Sequence, residues 1–342
     1  MKKIIIIGAG AMGSAFAVPC VDNKNDVTIV GTHLEDSLIE SINSNNNIHP
    51  VLKTQLPKEI KFENFDKLQA LLQKDIDLIV AGISSVGIEW FVKQISKNYK
   101  KKLPIVLLTK GLSIVDNELT TLSDKIKNLL KKEGHSEINI SAIKGPCLAV
   151  GLANKMRTGT VIANHNIKEC QLLKNIISTN YYSTEISEDI NGVELSGAIK
   201  NIYSMLIGAS EGLSNSQAPK EVQSKYFLNT AASLIHRSIS EMVEFVSYYG
   251  GKPETVYGLA GLGDLYVSAI GGRNSLMGKY LGDGYLYKEA KDKFMRNTTV
   301  EGAQLALEIG PKILQDLNPK LFPLMFSMLN TLCDNKKLEI KW

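Results

Sequence analysis

Arginine is scarce in this chain: Arg157, Arg237, Arg273 and Arg296 are four of its 39 basic residues, and the remainder are lysines. A rigid five-donor fork is therefore available at few places, and each place invites a question. Cysteine is equally sparse. Cys20, Cys147, Cys170 and Cys333 lie far apart, with no C-x-x-C pair and no histidine at metal spacing, which argues against a disulfide framework or a structural metal and favours a reducing compartment. No apolar run approaches the roughly 18 residues of a membrane span. Met1-Lys2-Lys3 is followed by only four isoleucines, too short for a signal-peptide core. Net charge is also small: 39 basic against 35 acidic residues leave +4, too little for a dedicated nucleic-acid binder. A protein without an integral membrane segment, cytoplasmic and with no nucleic-acid partner, is expected. The small excess still leaves room for a local cationic pocket that takes a phosphate or carboxylate.

What is present is an ordinary globular composition, 44% hydrophobic and 22% charged, over 342 residues, enough for about two domains of roughly 150 residues. Ile4-Ile5-Ile6-Ile7 reads as a strand buried on both faces and runs into Gly8-Ala9-Gly10-Ala11-Met12-Gly13 and a helix over 14–20. Further strands are expected at 27–30, 77–81, 104–108 and 138–142, with helices such as 65–73 and 117–131 between them. That alternation predicts a parallel, doubly wound α/β sheet. After about Ile186 the patterning becomes helical throughout. The expected division is an α/β domain of Rossmann type over 1–187 and an all-α domain over 188–342.

Gly8-x-Gly10-x-x-Gly13 sits where a dinucleotide needs it, after a buried strand and opening a helix. The first glycine permits the turn, the second lets a pyrophosphate approach and the third lets helix and strand pack closely. The choice between NAD and NADP stays open. Where an acidic residue would hold the adenine ribose, the chain reads Val30-Gly31-Thr32-His33, and Glu35 and Asp36 fall slightly late. Thr32 or His33 is placed to approach the ribose, or is ordinary loop. Read as a helix, Gly197, Asn201, Ser204 and Gly208 form a stripe of small residues that admits a close neighbour. Lys200 beside it is a candidate desolvated acid/base, the alternative being a solvated surface lysine. Gly258-Leu259-Ala260-Gly261-Leu262-Gly263-Asp264 implies an irregular turn, and Gly271-Gly272-Arg273-Asn274 offers fork-shaped donors suited to a phosphate. The alternative there is a helix cap at Asp264 and an exposed arginine.

Together these segments resemble the NAD(P)-dependent glycerol-3-phosphate dehydrogenases along nearly the whole chain. The resemblance also takes in 108–112, Lys144-Gly145-Pro146-Cys147-Leu148-Ala149, 193–201 and Val300-Glu301-Gly302. It implies reversible hydride transfer between a nicotinamide and C2 of a small phosphate substrate, dihydroxyacetone phosphate or sn-glycerol 3-phosphate, in support of phospholipid synthesis. It also implies a helical C-terminal domain like that of 6-phosphogluconate dehydrogenase, and a homodimer. By the same resemblance Lys200 exchanges the proton at the C2 oxygen, Lys110 touches cofactor and substrate, and Asp264 orients Lys200 or the substrate hydroxyl. Gly145, Cys147, Asn201, Gly272, Arg273 and Asn274 match substrate positions. Gly8, Gly10, Ala11, Met12, Gly13, Thr32, Lys110, Ala149, Arg273, Thr299 and Glu301 match cofactor positions.

The chain departs from the bacterial pattern at Cys147, where serine or threonine is usual, and at Met12, where an aromatic residue is common. A thiol is the weaker hydrogen-bonding group. Gly82-Ile83-Ser84-Ser85 replaces a Val-Pro-Ser type, and Gly-Gly-Arg-Asn is nearer the eukaryotic form. Two other readings compete. A ketopantoate-type or other 2-oxo acid reductase predicts a carboxylate substrate with no need of Arg273-Asn274 beside Asp264. A catalytically impaired NAD(P)-binding sensor is opposed by the intact Lys110, Lys200, Asp264 and Arg273 and kept open by Cys147.

Overall fold

The computed structural model describes residues 1–100, 102–217 and 220–341, and side chains outside 216–226. Two compact units emerge: Met1–Lys110 with Leu122–Ile190, and Gly111–Thr121 with Asn191–Trp342.

The first unit is built on eight strands, β1 Lys3–Ile7, β2 Asp26–Val30, β3 Lys61–Glu63, β4 Leu78–Ala81, β5 Pro104–Leu107, β6 Asn139–Lys144, β7 Thr158–Ala163 and β8 Tyr182–Ser187. Their order is 8-7-6-5-4-1-2-3. The isoleucine run shows why: Ile4 and Ile6 face one hydrophobic core and Ile5 and Ile7 another, so β1 needs helices on both faces. β1 to β6 run parallel to one another, giving the doubly wound order, and it reverses between β1 and β4, where such sheets open a crevice at their carboxyl ends.

Two differences from the sequence reading have plain causes. The sheet is not all parallel, because β7 runs antiparallel to β6. β7 (Thr158–Ala163) and β8 (Tyr182–Ser187) mix polar residues into short strands and so lack a long apolar run. The helix expected over 117–131 begins late: Glu118–Thr121 instead pairs antiparallel with Leu112–Val115, and only Leu122–Lys132 is helical. The turn between them places Asp116 and Asn117 at φ 52° and 62°, which breaks a helix there.

Among the described residues, the regular elements of the second unit are helices apart from that hairpin. Its core includes Leu112 from the hairpin together with Ile199, Ile202, Leu206, Met277, Leu281 and Ile309 from three helices. The long helix Ile190–Gln217 packs against Arg273–Gly282 with almost no room between backbones. A Cβ on Gly208 would lie 2.2 Å from the Ser275 carbonyl oxygen, and one on Gly278 1.8 Å from that of Met205. The small-residue stripe thus admits a neighbouring helix at Gly208. Among the described residues, no helix is long and apolar enough to cross a membrane.

Candidate active site

The candidate residues divide between the units: Gly8, Gly10, Ala11, Met12, Gly13, Thr32, Lys110, Gly145, Cys147 and Ala149 in the first, Lys200, Asn201, Asp264, Gly272, Arg273, Asn274, Thr299 and Glu301 in the second.

In the first unit, Gly8 leaves β1 at φ +107°, a conformation closed to most side chains, and a Cβ on it would meet the Gly82 carbonyl oxygen at 2.6 Å. Gly13 lies as tightly over Gly8. Gly10 differs. Its nearest neighbour is Glu35 Oε1, 3.8 Å from where a Cβ would be. Helix Ala11–Asp22 begins there without a side-chain cap, so its leading N–H groups are available to an anion. These residues fit the pyrophosphate of a dinucleotide. Gly82, directly after β4, completes the packing. Its signal in the sequence was a glycine immediately following an apolar strand.

Glu35 corrects the sequence reading. Its Oε2 accepts the Ala9 N–H at 3.1 Å and the Thr32 N–H at 2.8 Å, so a carboxylate stands at the ends of β1 and β2 although it comes late in sequence. The intervening turn folds it back, as shown by the Glu35 N–H donating to the Thr32 carbonyl. A fixed negative charge beside Thr32 disfavours a second phosphate there. Glu35→Gln is expected to tighten NADPH relative to NADH, measured as the ratio of dissociation constants from quenching of tryptophan fluorescence. A ratio unchanged by the substitution removes Glu35 from cofactor discrimination.

Lys110 Nζ donates to the Gly145 carbonyl at 3.5 Å. Gly145 turns at φ +139°, and Cys147 follows, half-buried, with its N–H donating back to the Gly145 carbonyl at 2.8 Å. Ala149 opens the short helix Ala149–Ala153 and packs against the core on the β1 Ile4 face.

In the second unit, Lys200 and Asp264 are 3% and 2% exposed, and Lys200 Nζ donates to Asp264 Oδ1 at 2.7 Å. Lys200 Nζ also donates to Ser268 Oγ. The sequence gives Ser268 no role of its own, but it lies one helical turn beyond Asp264 on the helix Asp264–Gly271, which places both on one face. The glycine-rich segment before Asp264 forms a wide π-type turn, Leu259–Gly263, in which a Cβ on Gly261 would fall 2.1 Å from the Val256 carbonyl oxygen. That turn carries Asp264 inward. Asp264 is therefore a buried partner of Lys200, more than a surface helix cap.

Gly272 precedes the helix Arg273–Gly282, which also starts without a side-chain cap. Arg273 Nη2 donates to Glu301 Oε1 at 2.9 Å, with both side chains about half exposed (55% and 49%), so a cation and an anion from separate motifs meet at the surface. Thr299 is exposed two residues before. Asn274 is buried, with Nδ2 donating to Asn201 Oδ1 at 3.0 Å and Oδ1 accepting the Gly302 N–H at 2.9 Å. It ties the Lys200 helix to the start of the helix Glu301–Asp316.

A family model described as the NAD-dependent glycerol-3-phosphate dehydrogenase N-terminus matches residues 3–170, and one described as the C-terminus of the same family matches residues 189–340. The chain is 33% identical over 341 residues to the NADP(+)-dependent glycerol-3-phosphate dehydrogenase of Archaeoglobus fulgidus, covering 98% of this chain and 96% of that one. It is 32% identical to the glycerol-3-phosphate dehydrogenase [NAD(P)+] of Mesoplasma florum over 336 residues, covering 96% and 93%. The solved glycerol-3-phosphate dehydrogenase of Coxiella burnetii superposes with a TM-score of 0.81 at 24% identity, covering 98% and 96%, which speaks to the fold.

Proposed function

Because the chain belongs to the NAD-dependent glycerol-3-phosphate dehydrogenase family, we propose that it interconverts dihydroxyacetone phosphate and sn-glycerol 3-phosphate with NAD or NADP. The observation that carries this reading is the buried Lys200–Asp264–Ser268 cluster. When bound, the reduced nicotinamide supplies the hydride that C2 receives. Lys200 Nζ delivers the proton that the C2 oxygen takes up, so the carbonyl becomes an alcohol, and takes it back in the reverse direction. Its positive charge also stabilises the negative charge developing on that oxygen, which matters most where water is excluded. Asp264 and Ser268 accept hydrogen bonds from the ammonium and fix the position of Nζ. Lys110 is a second cation for cofactor and substrate, and Gly145 and Cys147 line the substrate. Gly8, Gly10, Ala11, Met12, Gly13, Thr32, Ala149, Thr299 and Glu301 hold the dinucleotide.

The substrate phosphate is assigned to the start of the helix Arg273–Gly282, where Gly272 opens the turn, Arg273 supplies the fork and Asn274 and Asn201 brace it. Charge-assisted hydrogen bonds of this kind contribute about 1.5–3 kcal/mol each. Arg273→Ala is therefore expected to raise the KM for dihydroxyacetone phosphate by about tenfold to a hundredfold with a smaller change in kcat, read from steady-state kinetics. An unchanged KM would move the phosphate elsewhere. The protein is assigned to the cytoplasm as a homodimer that acts on this small substrate and not on nucleic acid, which gel filtration with light scattering and cell fractionation check.

The reading itself is tested by offering the protein dihydroxyacetone phosphate and ketopantoate in turn, with NADH and with NADPH. Oxidation of reduced nicotinamide with the first substrate is expected. Turnover of ketopantoate alone would replace this reading with that of a 2-oxo acid reductase, and cofactor binding without turnover of either with that of a sensor.

A further inference from the structure

Lys144 ends β6, a strand whose last five residues are buried, and is itself 2% exposed. An ammonium is costly to bury unless its hydrogen-bonding capacity is used, and here it is used in part on backbone carbonyls. Lys144 Nζ donates to the Thr109 carbonyl at 2.8 Å and reaches that of Leu107 at 3.4 Å. Thr109 precedes Lys110, and Lys110 Nζ in turn donates to the carbonyl of Gly145, the residue after Lys144. Each lysine thus holds the backbone next to the other, and the two cross-link the ends of the adjacent strands β5 and β6. Gly145 makes the second half of the link feasible. A Cβ there would lie 3.0 Å from Thr160 Cα, and its φ of +139° sets the direction of the carbonyl that Lys110 meets. Thr109 is anchored from its side chain too, Oγ1 donating to the Ile83 carbonyl at 2.6 Å.

We propose that Lys144 is a positioning residue for the reaction: through the Thr109 carbonyl it fixes the backbone from which Lys110 projects, and so sets where the Lys110 ammonium meets substrate and cofactor. This rests on the role given to Lys110 above. A lysine serves here where an apolar residue would complete the strand more cheaply, because a long donor reaches the Thr109 carbonyl beyond the end of the neighbouring strand. Misplacement of a catalytic group by about 1 Å is enough to cost on the order of a hundredfold in rate.

A double-mutant cycle on the full-length protein tests it, with Lys144→Met, Lys110→Met and both together. Lys144→Met is expected to lower kcat by on the order of a hundredfold, and by no more than about threefold when Lys110 is already methionine, since it acts through that residue. Multiplying, independent losses would overturn the proposal. A second readout does not need turnover: the rate of reductive methylation of the Lys110 amine, followed by mass spectrometry, is expected to rise severalfold in Lys144→Met as the link opens. An unchanged rate overturns the proposal as well. If Lys144→Met does not fold, Lys144→Gln, which keeps a donor but not the charge or the reach, is put through both measurements with the same criteria. Should the unaltered protein fail to turn over dihydroxyacetone phosphate, the proposed function falls while the methylation measurement still judges the link.

Discussion

Replacing Lys200 with methionine is expected to lower kcat by about a hundredfold to ten-thousandfold, the usual contribution of a positioned general acid, or roughly 3–5 kcal/mol of barrier. Because the group acts on charge that exists only in the transition state, kcat and kcat/KM should fall together and KM should barely move. The substitution also leaves Asp264 buried without its cation, a defect that typically destabilises by about 3–5 kcal/mol. Loss of fold must therefore be separated from loss of chemistry. Lys200→Arg does so. It preserves positive charge toward Asp264 Oδ1, now 2.7 Å from Nζ, but a guanidinium does not release its proton in the working range. A thermal midpoint near that of the parent with a kcat still lowered by about a hundredfold or more is expected. Near-normal turnover by a folded Lys200→Arg or Lys200→Met protein would assign proton transfer elsewhere.

The second large effect is on the fold. Gly278→Ala adds one methyl group, yet its carbon would stand 1.8 Å from the Met205 carbonyl oxygen, on a rigid helix backbone that has no rotamer to yield. Neighbouring positions offer no slack. Cβ atoms on Gly212 and Gly282 would lie 2.1 and 2.2 Å from the carbonyl oxygens of Lys279 and Ala209. The helices Ile190–Gln217 and Arg273–Gly282 must separate, so the cost should reach or exceed the upper end of the usual overpacking range, about 3 kcal/mol. The displacement also reaches the Asn274–Asn201 hydrogen bond of 3.0 Å, which joins the phosphate segment to the Lys200 helix. Denaturant titration and kinetics on the same sample should therefore show lower stability together with a raised KM for dihydroxyacetone phosphate. A variant within about 1 kcal/mol of the parent, the ordinary spread of surface changes, would mean that the two backbones can move apart freely.

The elements that sequence reveals here are those whose cause is local. The isoleucine run of β1, the glycine turn after it and the irregular stretch before Asp264 each declare themselves, because a doubly buried strand, a turn at Gly8 with φ +107° and a π-type turn need particular residues in a row. Features made by tertiary return were hidden. Glu35 comes late for a ribose carboxylate only when counted along the chain; a bend brings it to Ala9 and Thr32. The hairpin Leu112–Val115 and Glu118–Thr121 hides in what reads as the start of a helix, because its Leu112 earns its place in a core made mostly of residues beyond 190. Ser268 and Lys144 were legible as residue types but not as partners. Hydrogen bonds such as Lys144 to the Thr109 carbonyl link chain positions 35 apart, and no local pattern encodes them. Gly82 is an intermediate case, a lone glycine whose purpose appears only once Gly8 and Gly13 are seen against it.

The most direct test of the central claim follows the hydride itself. Reduced nicotinamide deuterated at the transferable C4 position is incubated with dihydroxyacetone phosphate and the protein, and the product is analysed by mass spectrometry and chiral enzymatic assay. The expected product is sn-glycerol 3-phosphate carrying one deuterium at C2, formed by the parent and suppressed in Lys200→Met. Consumption of the reduced cofactor with no deuterium at C2, or no phosphate-bearing alcohol at all, would contradict it.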